Sequence, residues 1–246
     1  MSGTIYQAAA GALLQQMRLD MLSNNLANVN TSGFKADQPI FRMPQAEMPD
    51  PPAMGPGRIS PYAPPMEART DFRGGALTRT GNPLDVAIAG KGFFEVQTPE
   101  GPKFTRKGHF TVNAEGVLST PEGWPVVGQG GEIAIDGGRV EINERGEVFV
   151  DGEGVGELQI VDFAEPYALT KQGDTLFVPQ QGEAAQAVAP EEMHLVPGHL
   201  ESSNVDPIRT MTEIIETMRV FEAYQRIIRT ADEATAKTVN EVGKAS

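Results

Sequence analysis

The chain has no cysteine and is short of basic residues. Its 246 residues include 20 Lys and Arg against 33 Asp and Glu, which gives a formal net charge of −13. The absence of cysteine excludes disulfides, thiolate nucleophiles and cysteine-ligated zinc sites. The excess of acid argues against nucleic acid or an anionic membrane as a partner, because both require clustered Lys and Arg.

Long apolar runs are also missing. No stretch approaches the roughly 18 apolar residues of a membrane-spanning helix. The first basic residue, Arg18, follows the apolar stretch 8–14, whereas a secretory signal begins with its charged residues. We therefore expect no direct membrane insertion and no cleaved leader.

Residues with metal or nucleotide chemistry are sparse. The three histidines, at positions 109, 194 and 199, lack the further ligands that a metal site needs. The glycine-rich stretches 90–92 and 152–156 complete no nucleotide-binding motif. The sequence predicts no catalytic residue, no metal and no cofactor.

One enzymatic or binding alternative remains open at this point. Carboxylate pairs such as Asp151 and Glu153 could serve glycoside hydrolysis, and the single tryptophan, Trp124, could form a platform for a ligand. A solvated acidic turn and a partly buried aromatic explain the same residues. The alternative is a carbohydrate-binding or carbohydrate-hydrolysing β domain with helical oligomerisation arms.

The glycine and proline that the sequence does contain are unevenly distributed. Residues 74–200 hold 21 of the 27 glycines and a net charge of −11, whereas nine of the 19 prolines fall between residues 39 and 65. Proline forbids long helices and interior strands. These shifts predict four segments along the chain: an N-terminal helix over 1–33, an extended Pro-rich connector over 34–73, a β-rich outer domain over 74–200, and a C-terminal helix over 201–246.

The N-terminal helix is predicted over residues 4–28. This stretch contains no proline, and its only charged side chains are Arg18 and Asp20. A helix so poor in charge needs partners on most of its faces. We therefore expect it to pack against other helices.

The C-terminal helix is predicted over residues 206–242. Asp206 suits the N-cap and Pro207 suits the first helical position. Apolar residues then recur at heptad spacing, which is typical of a coiled coil. At ~1.5 Å per residue the helix is roughly 50 Å long, more than a small β domain can cover. We expect the two terminal helices to pair, with each other or with those of neighbouring subunits.

Short apolar or alternating runs recur through residues 74–200. Turn signals such as 136–138 and 143–146 separate them, a pattern typical of antiparallel hairpins. The predicted fold class is α+β, mainly β: an antiparallel β-rich middle domain with N- and C-terminal helices that pair as a coiled coil.

The apolar stripes of the two helices supply a predicted assembly interface, together with one residue of the turn after the first helix. Its members are Leu13, Met17, Leu22, Leu26, Asn28, Met211, Ile214, Ile215, Met218, Phe221 and Ile228.

Several segments resemble one protein family in the same order along the chain. They are Ser23–Lys35, Gly75–Val96, Phe104–Phe110 and Gly198–Asp206. Together they resemble the bacterial flagellar rod and hook proteins, the FlgF/FlgG family. Gly81–Val86 and Val155–Phe163 look more like the proximal-rod members than the distal-rod members, which remain the alternative.

The resemblance implies a structural protein and not an enzyme. Members of this family are exported unfolded by the flagellar type III apparatus and assemble with copies of themselves and with other rod proteins. Their terminal helices form the coiled-coil inner layer of a hollow rod in the basal body. The rod crosses the periplasm and transmits torque. The absence of a leader is consistent with this route.

Overall fold

The computed structural model describes residues 2–41, 66–165, 167–173, 175–180, 184–188 and 194–242. Along the chain, a long helix comes first, a region of short strands follows, and a second long helix comes last. The predicted α+β class, mainly β, is confirmed. Most of the predicted Pro-rich connector, residues 42–65, lies outside the described residues.

The elements have the following bounds. The helices are α1 (Ser2–Ala27) and α2 (Pro207–Val242). The first strands are β1 (Asp37–Phe41), β2 (Met66–Thr70), β3 (Leu77–Arg79), β4 (Val86–Ile88), β5 (Phe93–Thr98), β6 (Gly101–Thr105), β7 (Thr111–Val112), β8 (Leu118–Ser119), β9 (Val127–Gly128) and β10 (Gly131–Glu132). The remaining strands are β11 (Val140–Ile142), β12 (Glu147–Val150), β13 (Glu153–Glu157), β14 (Ile160–Asp162), β15 (Leu169–Gln172), β16 (Leu176–Pro179), β17 (Gln186–Ala187), β18 (Leu195–Pro197) and β19 (His199–Glu201).

The described residues form two compact units. The helical unit consists of residues 2–27, 37–41, 66–69 and 206–242, and contains α1, α2 and the pair of strands β1 and β2. The β unit consists of residues 28–36 and the described part of 70–205. The division of the chain into four linear segments stays a prediction.

The start of α2 follows from its capping residue. The Asp206 carboxylate accepts hydrogen bonds from the backbone N–H groups of Ile208 (3.0 Å) and Arg209 (3.1 Å). Pro207 occupies the first helical position, where a backbone N–H has no hydrogen-bond partner within the helix. The missing N–H of proline therefore costs no hydrogen bond. Both predicted roles are confirmed. Within the described residues, neither helix combines the length and the apolar character needed to cross a bilayer.

The β unit consists of antiparallel sheets. The largest has the strand order β15-β16-β6-β5-β14-β17, and a three-stranded sheet has the order β11-β12-β13. The hairpins predicted from the turn signals are present, for example between β11 and β12. The last two strands of the unit pair with its first two strands: β18 pairs with β4, and β19 pairs with β3.

Two apolar clusters stabilise the β unit. The larger is built around fully buried residues such as Phe94, Val96 and Leu118. The smaller is rich in aromatic rings, with Phe93 edge-on to Phe177 at 5.8 Å between centroids. Full burial of each such side chain contributes about 1.5–3 kcal/mol.

Candidate assembly interface

The two helices of the helical unit pack on each other along a seam with heptad spacing. On each helix, one set of buried and half-buried positions advances in steps of three and four residues, which keeps one face toward the partner helix. The seam positions are Ile5, Ala8, Ala12, Gln15, Leu19, Leu22 and Leu26 in α1, with Gly11 beside Ala8 and Ala12, and Thr210, Ile214, Thr217, Phe221, Tyr224, Ile228 and Ala231 in α2.

Two threonines occupy buried positions of this seam. The hydroxyls of Thr210 and Thr217 donate hydrogen bonds to the carbonyls of Asp206 (2.7 Å) and Glu213 (2.6 Å), one helical turn earlier. A buried hydroxyl with a partner avoids the cost of an unpaired polar group. Both residues therefore fit a predominantly apolar contact.

A second apolar stripe runs along the first half of α2 and is exposed. Ile208, Met211, Ile215 and Met218 also follow steps of three and four residues, and between 49% and 77% of each residue is accessible. At 100° per residue, the stripe lies about 130° around the helix from the seam. Burying it requires a partner other than α1.

The opposite flank of α2 is apolar as well. Val220 and Ile227 are seven residues apart and both are exposed. They lie about 80° from the seam, on the side away from the stripe at 208–218. The helix therefore presents apolar surface on both sides of its contact with α1.

The back of α1 forms a third exposed apolar surface. Tyr6, Leu13 and Met17 are exposed, with Leu13 60% accessible. These three residues lie about 150° from the seam, almost opposite to it. A helix that is apolar on two opposite sides is typical of the interior of a helical assembly.

Apart from Asn28, which lies in the turn after α1, the predicted interface residues divide between the seam and these exposed surfaces. Leu22 is buried. The exposed members are Leu13, Met17, Met211, Ile215 and Met218. The half-buried members are Leu26, Asn28, Ile214, Phe221 and Ile228. Sequence periodicity did not separate the two groups, since adjacent residues such as Ile214 and Ile215 are equally apolar.

A buried polar junction within the β unit joins the segments that lead from α1 and toward α2. The Glu201 carboxylate accepts hydrogen bonds from Lys35 Nζ (2.5 Å) and from the backbone N–H of Gly75 (2.8 Å). Lys35 Nζ also donates to the carbonyl of Arg73 (2.9 Å). The Lys35 side chain is fully buried, and that of Glu201 is 2% exposed. One carboxylate therefore connects three segments that are distant in sequence.

Arg106 supplies the second cation of this junction. Its guanidinium lies 3.5 Å from Glu201 Oε2, donates a 2.7 Å hydrogen bond to the carbonyl of Gly90, and lies over the ring of Phe93. Burial lowers the pKa of Lys35 below its usual value, and the nearby Glu201 charge opposes that shift. Burial lowers the pKa of Arg106 in the same way, and Glu201 again opposes it. The single carboxylate therefore stabilises two buried cations.

Gly33 allows the segment after α1 to approach the backbone of Arg106 and Lys107 closely within the β unit. Its backbone has φ +72°, and a Cβ at this position would lie 2.4 Å from the Lys107 nitrogen. Its N–H donates to the carbonyl of Glu201 (2.7 Å). Glycine is thus required both by the backbone conformation and by the available space.

The residues behind the carbohydrate alternative have local structural roles. Trp124 packs against the larger apolar cluster. Asp151 lies in the turn between β12 and β13 with φ 50°, and its carboxylate accepts a hydrogen bond from the Arg139 N–H (2.9 Å). Among the described residues, no group of three or more His, Asp and Glu is placed to hold a metal ion.

Three segments of the chain match known protein families. Residues 5–35 match the flagella basal body rod protein family. Residues 87–150 match the flagellar hook protein FlgE/F/G D1 domain. Residues 196–241 match the C-terminal region of the flagellar basal body rod FlgEFG proteins.

Similarity to individual proteins extends over nearly the whole chain. The flagellar basal-body rod protein FlgF of Caulobacter vibrioides is 34% identical over 249 residues, covering 99% of both chains. The rod protein FlgG of Bacillus subtilis is 33% identical and covers 96% of this chain and 98% of its own. FlgG of Agrobacterium fabrum is 32% identical, with 92% and 94% covered. The chain therefore belongs to the FlgF/FlgG family of flagellar basal-body rod proteins.

Proposed function

We propose that the chain is a structural subunit of the flagellar basal-body rod, which polymerises through the exposed apolar surfaces of its terminal helices. The observation that carries this proposal is the exposed stripe of Ile208, Met211, Ile215 and Met218 beside a seam that α1 already covers. Exposed apolar surface of this regularity marks a contact with other helices. The chain then resides in the basal body as part of the rod.

The arrangement of the exposed surfaces favours helical growth over a closed dimer. A two-fold dimer uses one self-complementary patch, whereas a filament requires two different patches on each subunit. The back of α1 and the two flanks of α2 supply such patches. Each subunit can therefore contact neighbours on more than one side.

Within the rod, we assign the chain to the proximal position, with the distal position as the alternative. The 34% identity to a FlgF protein and the FlgF-like segments Gly81–Val86 and Val155–Phe163 support the proximal position. Family membership supports other rod proteins as neighbours. Passage through the flagellar export apparatus, a position across the periplasm and a role without catalysis are further parts of the proposal.

Substitution of Ile215 by Asp tests the interface directly. A buried unpaired carboxylate in a helix contact is strongly unfavourable, so Ile215→Asp should abolish swimming and remove the subunit from isolated basal bodies. Each variant is expressed in a host strain from which the gene for this subunit has been deleted. The readouts are swimming in soft agar and detection of the subunit in purified basal bodies. Normal swimming of this variant would overturn the proposal.

Arg226→Asp is the matched control. Arg226 is exposed on the polar side of the same helix, away from the seam and both apolar flanks, so the carboxylate remains in water. This variant should swim normally. Both variants should retain a folded β unit, which the fluorescence of Trp124 reports. Equal loss of swimming in both variants would contradict assembly through the apolar surfaces of α2.

A further inference from the structure

The seam between α1 and α2 contains one unusually close approach. At Gly11, an added Cβ would lie 2.5 Å from Cζ and 2.6 Å from Cε1 of Tyr224. The end of the Tyr224 ring thus occupies the space that a side chain at position 11 would need. Glycine within a helix is normally unfavourable, so its presence in the middle of α1 calls for a packing reason.

The two helices run antiparallel. Gly33 and Glu201, which follow α1 and precede α2, are hydrogen-bonded through their backbones at 2.7 Å. Gly11 lies 16 residues before the end of α1, and Tyr224 lies 17 residues after the start of α2. At ~1.5 Å per residue these separations are about 24 and 26 Å, so the contact is equally far from both adjoining ends.

Small side chains occur opposite large ones at several positions of the seam. Around Gly11, α1 has the small buried residues Ala8 and Ala12, and α2 has the large residues Tyr224 and Phe221. Toward the other end, α1 has the large residues Leu19 and Leu22, and α2 has Thr210 and Thr217 with Ile214 between them. Such an uneven distribution of side-chain size favours one register, because small residues opposite large ones leave fewer voids.

We propose that Gly11 and Tyr224 form a register lock, which fixes the axial position of α1 against α2. A slip of one heptad would move the Tyr224 ring from Gly11 to position 4 or 18, where the sequence has threonine and arginine in place of glycine. The lock also fixes the position along the helix axes of the exposed stripe of α2 relative to the exposed back of α1. Its consequence for the rod rests on the proposed function, whereas the lock itself is intramolecular.

The test measures the register directly. Because the chain lacks cysteine, nitroxide labels on Gln16→Cys and Ala223→Cys, both exposed positions, report one distance between α1 and α2 in the full-length protein. The expected result is a narrow distribution. Gly11→Leu places a large side chain where the Tyr224 ring lies, so it should broaden the distribution or displace it as the helices slide by one heptad, about 10 Å along their axes.

Two further variants separate the lock from a general effect on the helix. Ala9→Leu adds the same bulk at an exposed position of α1 and should leave the distance unchanged. Tyr224→Ala combined with Gly11→Leu makes room for the new side chain and should restore the narrow distribution. A broad distribution in the unsubstituted chain, an unchanged one in Gly11→Leu, or no recovery in the double variant would each overturn the lock.

Swimming distinguishes the lock from the function. Gly11→Leu should abolish swimming, and the double variant should recover part of it. A shifted distance together with normal swimming would leave the lock standing and overturn the proposed role of the helices in the rod.

Discussion

Gly33 illustrates at the residue scale how the lack of a side chain permits a contact. The backbone of residues 106 and 107 fills the space where its Cβ would lie, and the positive φ is itself unfavourable for other residues. These two requirements are separable, because other glycines in the β unit share the conformation without the crowding. Gly137 is one of them, with φ +77° and no described atom within 4 Å of a Cβ built there.

Comparison of Gly33→Ala with Gly137→Ala separates the two effects. The control should lower the free energy of unfolding by about 1–2 kcal/mol, the cost of a left-handed conformation for alanine. Gly33→Ala should lower it by about 1–3 kcal/mol more, because the methyl group collides with backbone. Urea unfolding of the β unit, followed by Trp124 fluorescence, measures both. Equal losses of unfolding free energy in the two variants would show that the backbone near Gly33 accommodates the methyl group without further cost.

At the scale of elements, the Lys35–Glu201–Arg106 junction joins the first and last segments of the β unit to its interior. Two buried cations share one carboxylate, so loss of that charge leaves both uncompensated. Ion pairs on the surface behave differently, because water already stabilises their charges. The pair of Lys91 and Glu165 is a surface example, since both side chains are more than half exposed.

Glu201→Gln should destabilise the β unit strongly. Breaking a buried ion pair costs about 3–5 kcal/mol, whereas Glu165→Gln should change the free energy of unfolding by less than about 1 kcal/mol. Urea unfolding at neutral pH gives both values. Similar small losses in the two variants would mean that the junction does not depend on the Glu201 charge.

The elements themselves were largely predictable, because their signals are local. Asp206 and Pro207 mark the start of α2, and glycine-containing turns mark the hairpins. The junction carries no such signal. Lys35 and Glu201 are 166 residues apart, and before folding Glu201 is one of 33 acidic residues. Long-range pairing of charges depends on the folded backbone and has no periodicity to reveal it.

The split of the predicted interface has a similar cause. Ile214 and Ile215 are both apolar, and only the position of α1 makes the first part of the seam and leaves the second exposed. Tyr224 and Gly11 likewise show no pattern until the helices are side by side. Sequence therefore predicts that a face is apolar, whereas the fold determines which neighbour covers it.

At the scale of the whole molecule, the exposed apolar surfaces should drive self-association. Leu13, on the back of α1, lies far around the helix from the seam, so a charge there should leave the α1–α2 contact intact. Leu13→Asp should keep the chain monomeric at concentrations where the unsubstituted chain forms larger species, because the carboxylate opposes burial of this surface. Sedimentation velocity over a range of protein concentrations measures the difference.

Gln16→Asp is the control for this comparison. Gln16 is exposed on the same helix and is already polar, so its replacement should leave association unchanged. Association of Leu13→Asp equal to that of the unsubstituted chain would remove the back of α1 from the interface.

The long separation between Lys35 and Glu201 along the chain also affects when their contact can form during synthesis. A chain that is synthesised from its N-terminus exposes Lys35 while the following 166 residues are still to be made. Its buried partner exists only after nearly the whole β unit has emerged. The junction therefore closes late, although before α2 has been made. A chain interrupted before Glu201 would leave Lys35 and Arg106 without their carboxylate, and it would lack α2 altogether.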